Sequence, residues 1–305
     1  MRPGQPRHYL MCRPTYFTVS YEINPWMDRR TPVDTPLAVA QWERLRDTFR
    51  DLGHTVETID PVPGLPDMVY AANGATVVDG LVYSARFTHP ERGPEGPAYL
   101  KWFADHGYVT HLAEHVNEGE GDLLVAGDVV LAGTGFRTDR AAHAEAAALW
   151  GREVVTLELV DPRFYHLDTA LTVLRGDSGE AAGARALDGG THPGLTGQAS
   201  VDVVYYPPAF SPAAQEVLRE RYPDALLATE EDAVVLGLNA VSDGRYVVHA
   251  PRAERLAAAL RERGYETLAV DTSELLRGGG GAKCCTLEIR EATPGSPVAT
   301  PGSAS

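Results

Sequence analysis

The sequence predicts a single α/β domain closed on itself by radial repetition, and three observations carry that prediction. Five segments place apolar residues at helical spacing, a short β-like run follows each, and paired strand signals with tight turns fall between them. The helical segments are residues 36–52, 98–106, 139–150, 212–221 and 252–263, each ending near a Gly or Pro that stops a helix. The β-like runs after them are 54–60, 108–112, 153–159, 225–228 and 265–271.

In chain order, the first hairpin joins 75–78 to 81–84 across Asp79-Gly80, a dipeptide suited to the positive φ values of a two-residue turn. The second joins 123–126 to 129–132 across Gly127-Asp128. The third joins 170–174 to 201–206 if the Gly/Ala-rich insert 176–200 forms its tip, and that insert reads as a mobile loop rather than a linker. The fourth joins 239–241 to 245–249 across Asp243-Gly244, and the fifth closes on an N-terminal strand near 17–23 together with 285–290. A doubly wound parallel sheet is the alternative. It is weaker, because hairpin turns imply antiparallel pairs and no Gly-x-Gly-x-x-Gly loop follows a strand. The Ala/Thr/Pro/Gly/Ser tail, 291–305, is expected to be disordered.

The chain has 305 residues, enough for a sizeable core, and 44% hydrophobic with 23% charged residues is ordinary for a globular protein. A net charge of −15 argues against nucleic acid or an anionic membrane as partner. Three cysteines without a framework, no signal-like start and no long apolar run make a reduced, cytoplasmic setting the expectation.

The unusual polar residues recur at one end of the hairpins. Asp67 and Asn73 precede the first, Glu118-Gly119-Glu120-Gly121-Asp122 the second and His166-Leu167-Asp168 the third. Asn239 lies in the fourth, and Cys284 precedes the last strand. A closed ring gathers these into one axial site. Cys284 follows four glycines, where backbone approaches a ligand closely and amides can stabilise a thiolate; alone it would read as a small buried hydrophobe. Cys285, alternating to the other face of the strand, reads as core. His166 and Asp168 share a strand face, which gives a histidine with a tunable pKa; the bland alternative is a hydrogen-bonded structural histidine. The acidic run is either a solvated turn or, through its glycines, a set of inward carboxylates suited to a guanidinium. Arg92 and Arg137 follow hairpin strands and could grip a substrate carboxylate in two-pronged fashion, or form ordinary salt bridges. The other histidines, His89, His106, His111, His115 and His249 among them, show no convergent pattern. No metal-binding spacing occurs, and no cofactor is implied.

Several segments, in this order and spacing, resemble the guanidine-modifying (pentein) superfamily: dimethylarginine dimethylaminohydrolases, arginine deiminases, arginine dihydrolases and amidinotransferases. They are Met11-Cys12-Arg13-Pro14, Ile23-Asn24-Pro25-Trp26-Met27, Pro66-Asp67-Met68-Val69-Tyr70-Ala71-Ala72-Asn73, Glu91-Arg92, Glu118-Gly119-Glu120-Gly121-Asp122, Gly135-Phe136-Arg137-Thr138, His166-Leu167-Asp168-Thr169 and Gly280-Gly281-Ala282-Lys283-Cys284. The resemblance implies a five-bladed α/β propeller, here one catalytic domain over 11–290, acting on a small guanidino amino acid. It implies that Cys284 attacks the guanidinium carbon to give a thiouronium intermediate, with His166 as acid and then base. Glu118 and Asp168 would hold the guanidinium, Asp67 the amino-acid end, and Arg92 and Arg137 the α-carboxylate; Asp122 joins the substrate-binding set. Where deiminases and dimethylarginine hydrolases place an Asp, this chain has Asn73, which together with Asn24 resembles the dihydrolases that proceed to ornithine. Dimethylarginine hydrolysis, arginine deimination, amidino transfer and a non-catalytic propeller remain the alternatives, and a homodimer stays open.

Overall fold

A computed structural model describes residues 4–176 and 201–291. The expectations for the 176–200 insert and the 291–305 tail therefore fall, but for one residue each, outside the described residues.

The chain opens with β1 (His8–Cys12), then forms α1 (Thr35–Asp51) and β2 (Thr55–Ile59), which runs parallel to β1. Asp34 accepts from the Leu37 amide and Pro36 stands in the first turn, which fixes where α1 begins. Its inner face buries Ala38, Trp42, Leu45 and Phe49, each large side chain contributing about 2 kcal/mol of transfer free energy.

A unit of antiparallel hairpin, helix and parallel third strand then recurs. It appears as β3 (Ala75–Val78), β4 (Leu81–Ser84), α2 (Glu95–Asp105) and β5 (Val109–His111). Next come β6 (Leu123–Ala126), β7 (Val129–Thr134), α3 (Arg140–Trp150) and β8 (Glu153–Glu158). The third copy adds α4 (Leu167–Ala170) before β9 (Leu171–Arg175), β10 (Asp202–Tyr205), α5 (Pro212–Arg221) and β11 (Leu226–Leu227). The fourth adds α6 (Glu230–Ala233) before β12 (Val241–Ser242), β13 (Tyr246–His249), α7 (Glu254–Glu262) and β14 (Glu266–Ala269). After α8 (Ser273–Leu276), β15 (Leu287–Glu288) pairs antiparallel with β1, Tyr9 opposite Glu288. Five three-stranded sheets result, and the ring is sealed by the two ends of the chain. This is the five-bladed α/β propeller.

Neighbouring blades meet along their first strands, β15 against β3, β6 against β9 and β9 against β12. The apolar cores lie outside that inner ring, between the sheets and their helices. No described helix is long and apolar enough to cross a membrane.

One strand differs from expectation. Phe17, Val19, Tyr21 and Ile23 alternate as a strand would, yet this segment has no ladder and is tied down by its ends: Phe17 is in the core, the Tyr21 hydroxyl donates to Asp67, and Ile23 O accepts from Arg137. The closing strand is His8–Cys12 instead. Its last four residues are buried without alternation, as in a strand covered on both faces.

Candidate active site

Each polar cluster sits just before the first strand of its blade, on a tight turn. Asp67 and Asn73 occupy two 3-10 turns, Pro66–Val69 and Ala71–Gly74, ahead of β3. Glu118 leads into the turn Gly119–Gly121 ahead of β6. His166 caps α4, and Asp168 lies within it, ahead of β9. Asn239 precedes β12, and Cys284 precedes β15. The turns explain how polar backbone reaches the axis without a ladder of its own.

Hydrogen bonds join all five blades there. The Cys284 thiol donates to Asp168 Oδ2 at 3.3 Å, and the Asn239 amide donates to the sulfur at 3.1 Å and to Asp168 O at 3.1 Å. Ala72 N donates to Cys284 O at 3.0 Å. His166 Nε2 lies 2.7 Å from Glu118 Oε2, and Asn73 Nδ2 donates to Glu118 O at 3.3 Å. Gly121 makes this closeness attainable, since a Cβ there would stand 2.3 Å from Asn73 Nδ2 and 3.2 Å from the His166 ring. Gly280 does the same for the turn that carries Cys284, where a Cβ would meet Tyr70 at 2.4 Å and the Cys284 Cβ at 2.9 Å.

Charge is distributed unevenly. Burial pushes the Glu118 carboxyl up, but Arg137 at 2.9 Å and His166 outweigh it and hold it well below the usual range. An ionised carboxylate only accepts, so the proton of this contact is on His166 Nε2. Burial raises Asp168 to about 7, against the pull of Lys283 and of the bonds from Cys284 and Asn239. Burial also lifts Asp67, which Arg92 only partly offsets, and lifts the Cys284 thiol, which Asp168 beside it raises further. Among the described residues, Asp67 Oδ1 and Asp168 Oδ1 are buried with no donor. A donorless carboxyl oxygen on Asp168, beside the thiol, and another on Asp67 suit a ligand that is all donor, which a guanidinium is.

Several side chains stand elsewhere than expected. His166 and Asp168 are not on one strand face; the α4 turn sends the first to Glu118 and the second to Cys284. Cys284 and Cys285 lie in a turn that the Cys285 amide closes onto Gly281 O, though Cys285 is buried in the core as expected. Arg92 already has its fork engaged within the protein. Nε and Nη2 are taken by Glu95 and Nη1 by Asn73 Oδ1, because a buried cation needs a counter-ion within the fold. Arg137 donates to Glu118 and to Ile23 O and lies over the Tyr165 ring. Asp122 is turned away from the axis, both oxygens held by Leu167 N and Thr138, with burial raising it to about 6. Asn24 holds Gly278 O and Trp26 N, bracing the glycine run. Glu120 takes Lys283 at 2.7 Å and also Arg290, so it braces β15.

The repeat pattern gathers Asn239 to the axis, but no role for it followed from the sequence. The fivefold position that picked out Cys284 and His166 applies equally to it. Tyr21, donating to Asp67 at 3.0 Å, carried no sequence signal.

No family model matches the chain. It is 52% identical over 288 residues to N(G),N(G)-dimethylarginine dimethylaminohydrolase of Mycobacterium tuberculosis, covering 94% of this chain and 87% of that protein. It is 34% identical over 289 residues to the bifunctional arginine dihydrolase/ornithine cyclodeaminase ArgZ of Synechocystis, covering 92% of this chain and 37% of that longer protein. The crystal structure of the N-terminal domain of ArgZ bound to its substrate, described as an arginine dihydrolase from cyanobacteria, superposes with a TM-score of 0.82 at 32% identity, covering 93% of this chain and 98% of that one.

Proposed function

The chain belongs to the guanidine-modifying enzymes and is a hydrolase of guanidino groups, and we propose that it acts on free arginine through Cys284 and carries it to ornithine. The observation that carries this reading is the fixed amide of Asn73. Arg92 can only donate, so Asn73 Oδ1 faces it, and the NH2 group is turned toward Glu118 O beside His166. An aspartate there could only accept. An amide can donate to a ureido oxygen, so citrulline formed in the first half is retained for a second attack.

In this reading Asp168, through its donorless oxygen, and Glu118 receive the guanidinium, and Asp67 meets the substrate nearer its amino-acid end. The incoming cation offsets the anions that keep the thiol protonated, and Asp168 Oδ2 accepts the thiol proton at 3.3 Å. The sulfur then bonds to the guanidinium carbon, and ammonia leaves with a proton from His166. Water, deprotonated by His166, adds to the thiouronium carbon, and the C–S bond breaks to give citrulline and the free thiol. A second attack and a second water release ornithine, ammonia and carbon dioxide. Residues 11–290 act as one catalytic unit.

A second reading, hydrolysis of dimethylarginine to citrulline and dimethylamine, is favoured by the 52% identity to the mycobacterial enzyme. It uses the same nucleophile. Incubation with each substrate, following ornithine, citrulline, ammonia and dimethylamine, decides between them. Ornithine with ammonia from arginine is the expected outcome. Citrulline with dimethylamine from dimethylarginine, and no ornithine from arginine, contradicts it. Transfer to an added amine such as glycine would make the enzyme an amidinotransferase.

A further inference from the structure

We propose that Asn239 is a positioning residue that aims the Cys284 sulfur and favours its thiolate, an inference that rests on Cys284 being the nucleophile. Asn239 comes from the fourth blade, 45 residues before the cysteine, and its side-chain bonds all go to Cys284, to Gly281 in the same turn and to Asp168. Its Oδ1 accepts from Gly281 N at 2.9 Å and from Cys284 N at 3.0 Å. Two backbone N–H groups on Oδ1 leave one orientation for the amide, so the NH2 end faces the sulfur. One hydrogen of that group goes to Sγ and the other to Asp168 O, each at 3.1 Å. The side chain is 1% exposed and its hydrogen-bonding capacity is filled.

Asn239 is thus fastened at one end to the backbone that carries Cys284 and at the other to the backbone of Asp168. It fixes the distance between thiol and carboxylate across a blade boundary. It also acts on protonation. The groups facing the sulfur are otherwise acidic or neutral: Asp168 from α4, Cys285 from the same turn, and the phenols of Tyr70 and Tyr165. Lys283, the nearby cation, is bound to Glu120 and to Thr286 O. Among the described residues, the side-chain donor to Sγ is the Asn239 amide, and a donor to sulfur stabilises thiolate over thiol.

The test is the pH dependence of Cys284 alkylation by iodoacetamide in the full chain, read by mass spectrometry of the Cys284 peptide. Wild type is compared with Asn239→Asp and Asn239→Ala. The aspartate keeps the oxygen that receives both backbone amides, loses the donors to sulfur and to Asp168 O and adds an anion, so it preserves the turn that carries Cys284 better than alanine. Asn239→Asp should move the alkylation midpoint up by about one pH unit, which is about tenfold slower labelling at neutral pH. It should lower kcat about a hundredfold with KM within about threefold, the pattern of a lost transition-state interaction. Asn239→Ala should move the midpoint in the same direction by less. Alkylation profiles that superimpose on wild type in variants with native circular dichroism overturn the proposal. Should Cys284→Ser retain full turnover, the cysteine mechanism fails instead, and the alkylation profiles still report separately on the hold of Asn239 over the thiol.

Discussion

Glu118 and Asp168 are both buried on the same axis, joined through His166 two residues before the aspartate, and burial pushes both carboxyls upward. They end far apart. Glu118 is gripped by Arg137 and His166 and stays ionised; Asp168 faces a thiol and an amide and rises to about 7. The protein's own cations complete one half of the site. The other half leaves Asp168 Oδ1 without a donor among the described residues. Under the proposed function the substrate's charge falls on the Cys284 side, where a positive group would both satisfy Asp168 and ease loss of the thiol proton.

The largest effect expected comes from removing the reacting atom. Cys284→Ser should lower turnover at least about a thousandfold, and Cys285→Ser, altering a core thiol, should leave kcat within about threefold. Adding a chelator should leave wild-type turnover unchanged. Loss from chelation, or from the Cys285 change alone, would shift the chemistry away from Cys284.

Breaking the completed half comes next. Glu118→Gln deprives Arg137 of its counter-ion and His166 of its orienting carboxylate. Turnover should fall about a hundredfold to a thousandfold, and urea unfolding should show a loss of about 3 kcal/mol from the uncompensated buried cation. Equal kcat with lowered stability alone would make Glu118 structural.

Asn73→Asp sharpens the product question. With arginine, the ratio of ornithine to citrulline should drop about tenfold while arginine consumption stays within about fivefold. An unchanged ratio would remove Asn73 from product control.

Asp168→Asn probes the other half through stability. A carboxyl raised from 3.8 to about 7 contributes stability that is full below pH 3.8 and is lost as pH rises through 7. Wild type should therefore lose stability from Asp168 between pH 4 and pH 8, and the asparagine variant should lack that slope. Urea midpoints should show the variant gaining on wild type by about 2 kcal/mol between pH 5 and pH 8, while its turnover collapses. A difference independent of pH would mean that Asp168 is ionised throughout.

How much of this was legible in the sequence follows from the range of each interaction. The hairpin at Asp79-Gly80 was readable because turn chemistry is local, and its strands fall at 75–78 and 81–84 as expected. Helices 212–221 and 140–150 were legible from periodicity, and the fivefold recurrence placed Cys284, His166 and Glu118 on one axis. The closing strand β1 was misplaced because its partner β15 lies at the far end of the chain and leaves no local mark. The partners of Arg92 were hidden for a related reason. Glu95 is three residues away, but only the packed fold shows that both are buried together and that the fork is already filled. The opposite shifts of Glu118 and Asp168 depend on which neighbouring blade brings a cation, a fact of tertiary arrangement alone.

The central claim, that the Cys284 side receives the guanidinium carbon, is tested most directly by quenching turnover in acid and weighing the Cys284 peptide. With arginine, that peptide should gain the mass of arginine less ammonia, fragmentation should place the gain on Cys284 and not on the adjacent Cys285, the Cys12 peptide should be unchanged, and the adduct should be absent in Cys284→Ser. Turnover with no adduct on Cys284 under rapid quenching, or an adduct carried by Cys285, would contradict the account.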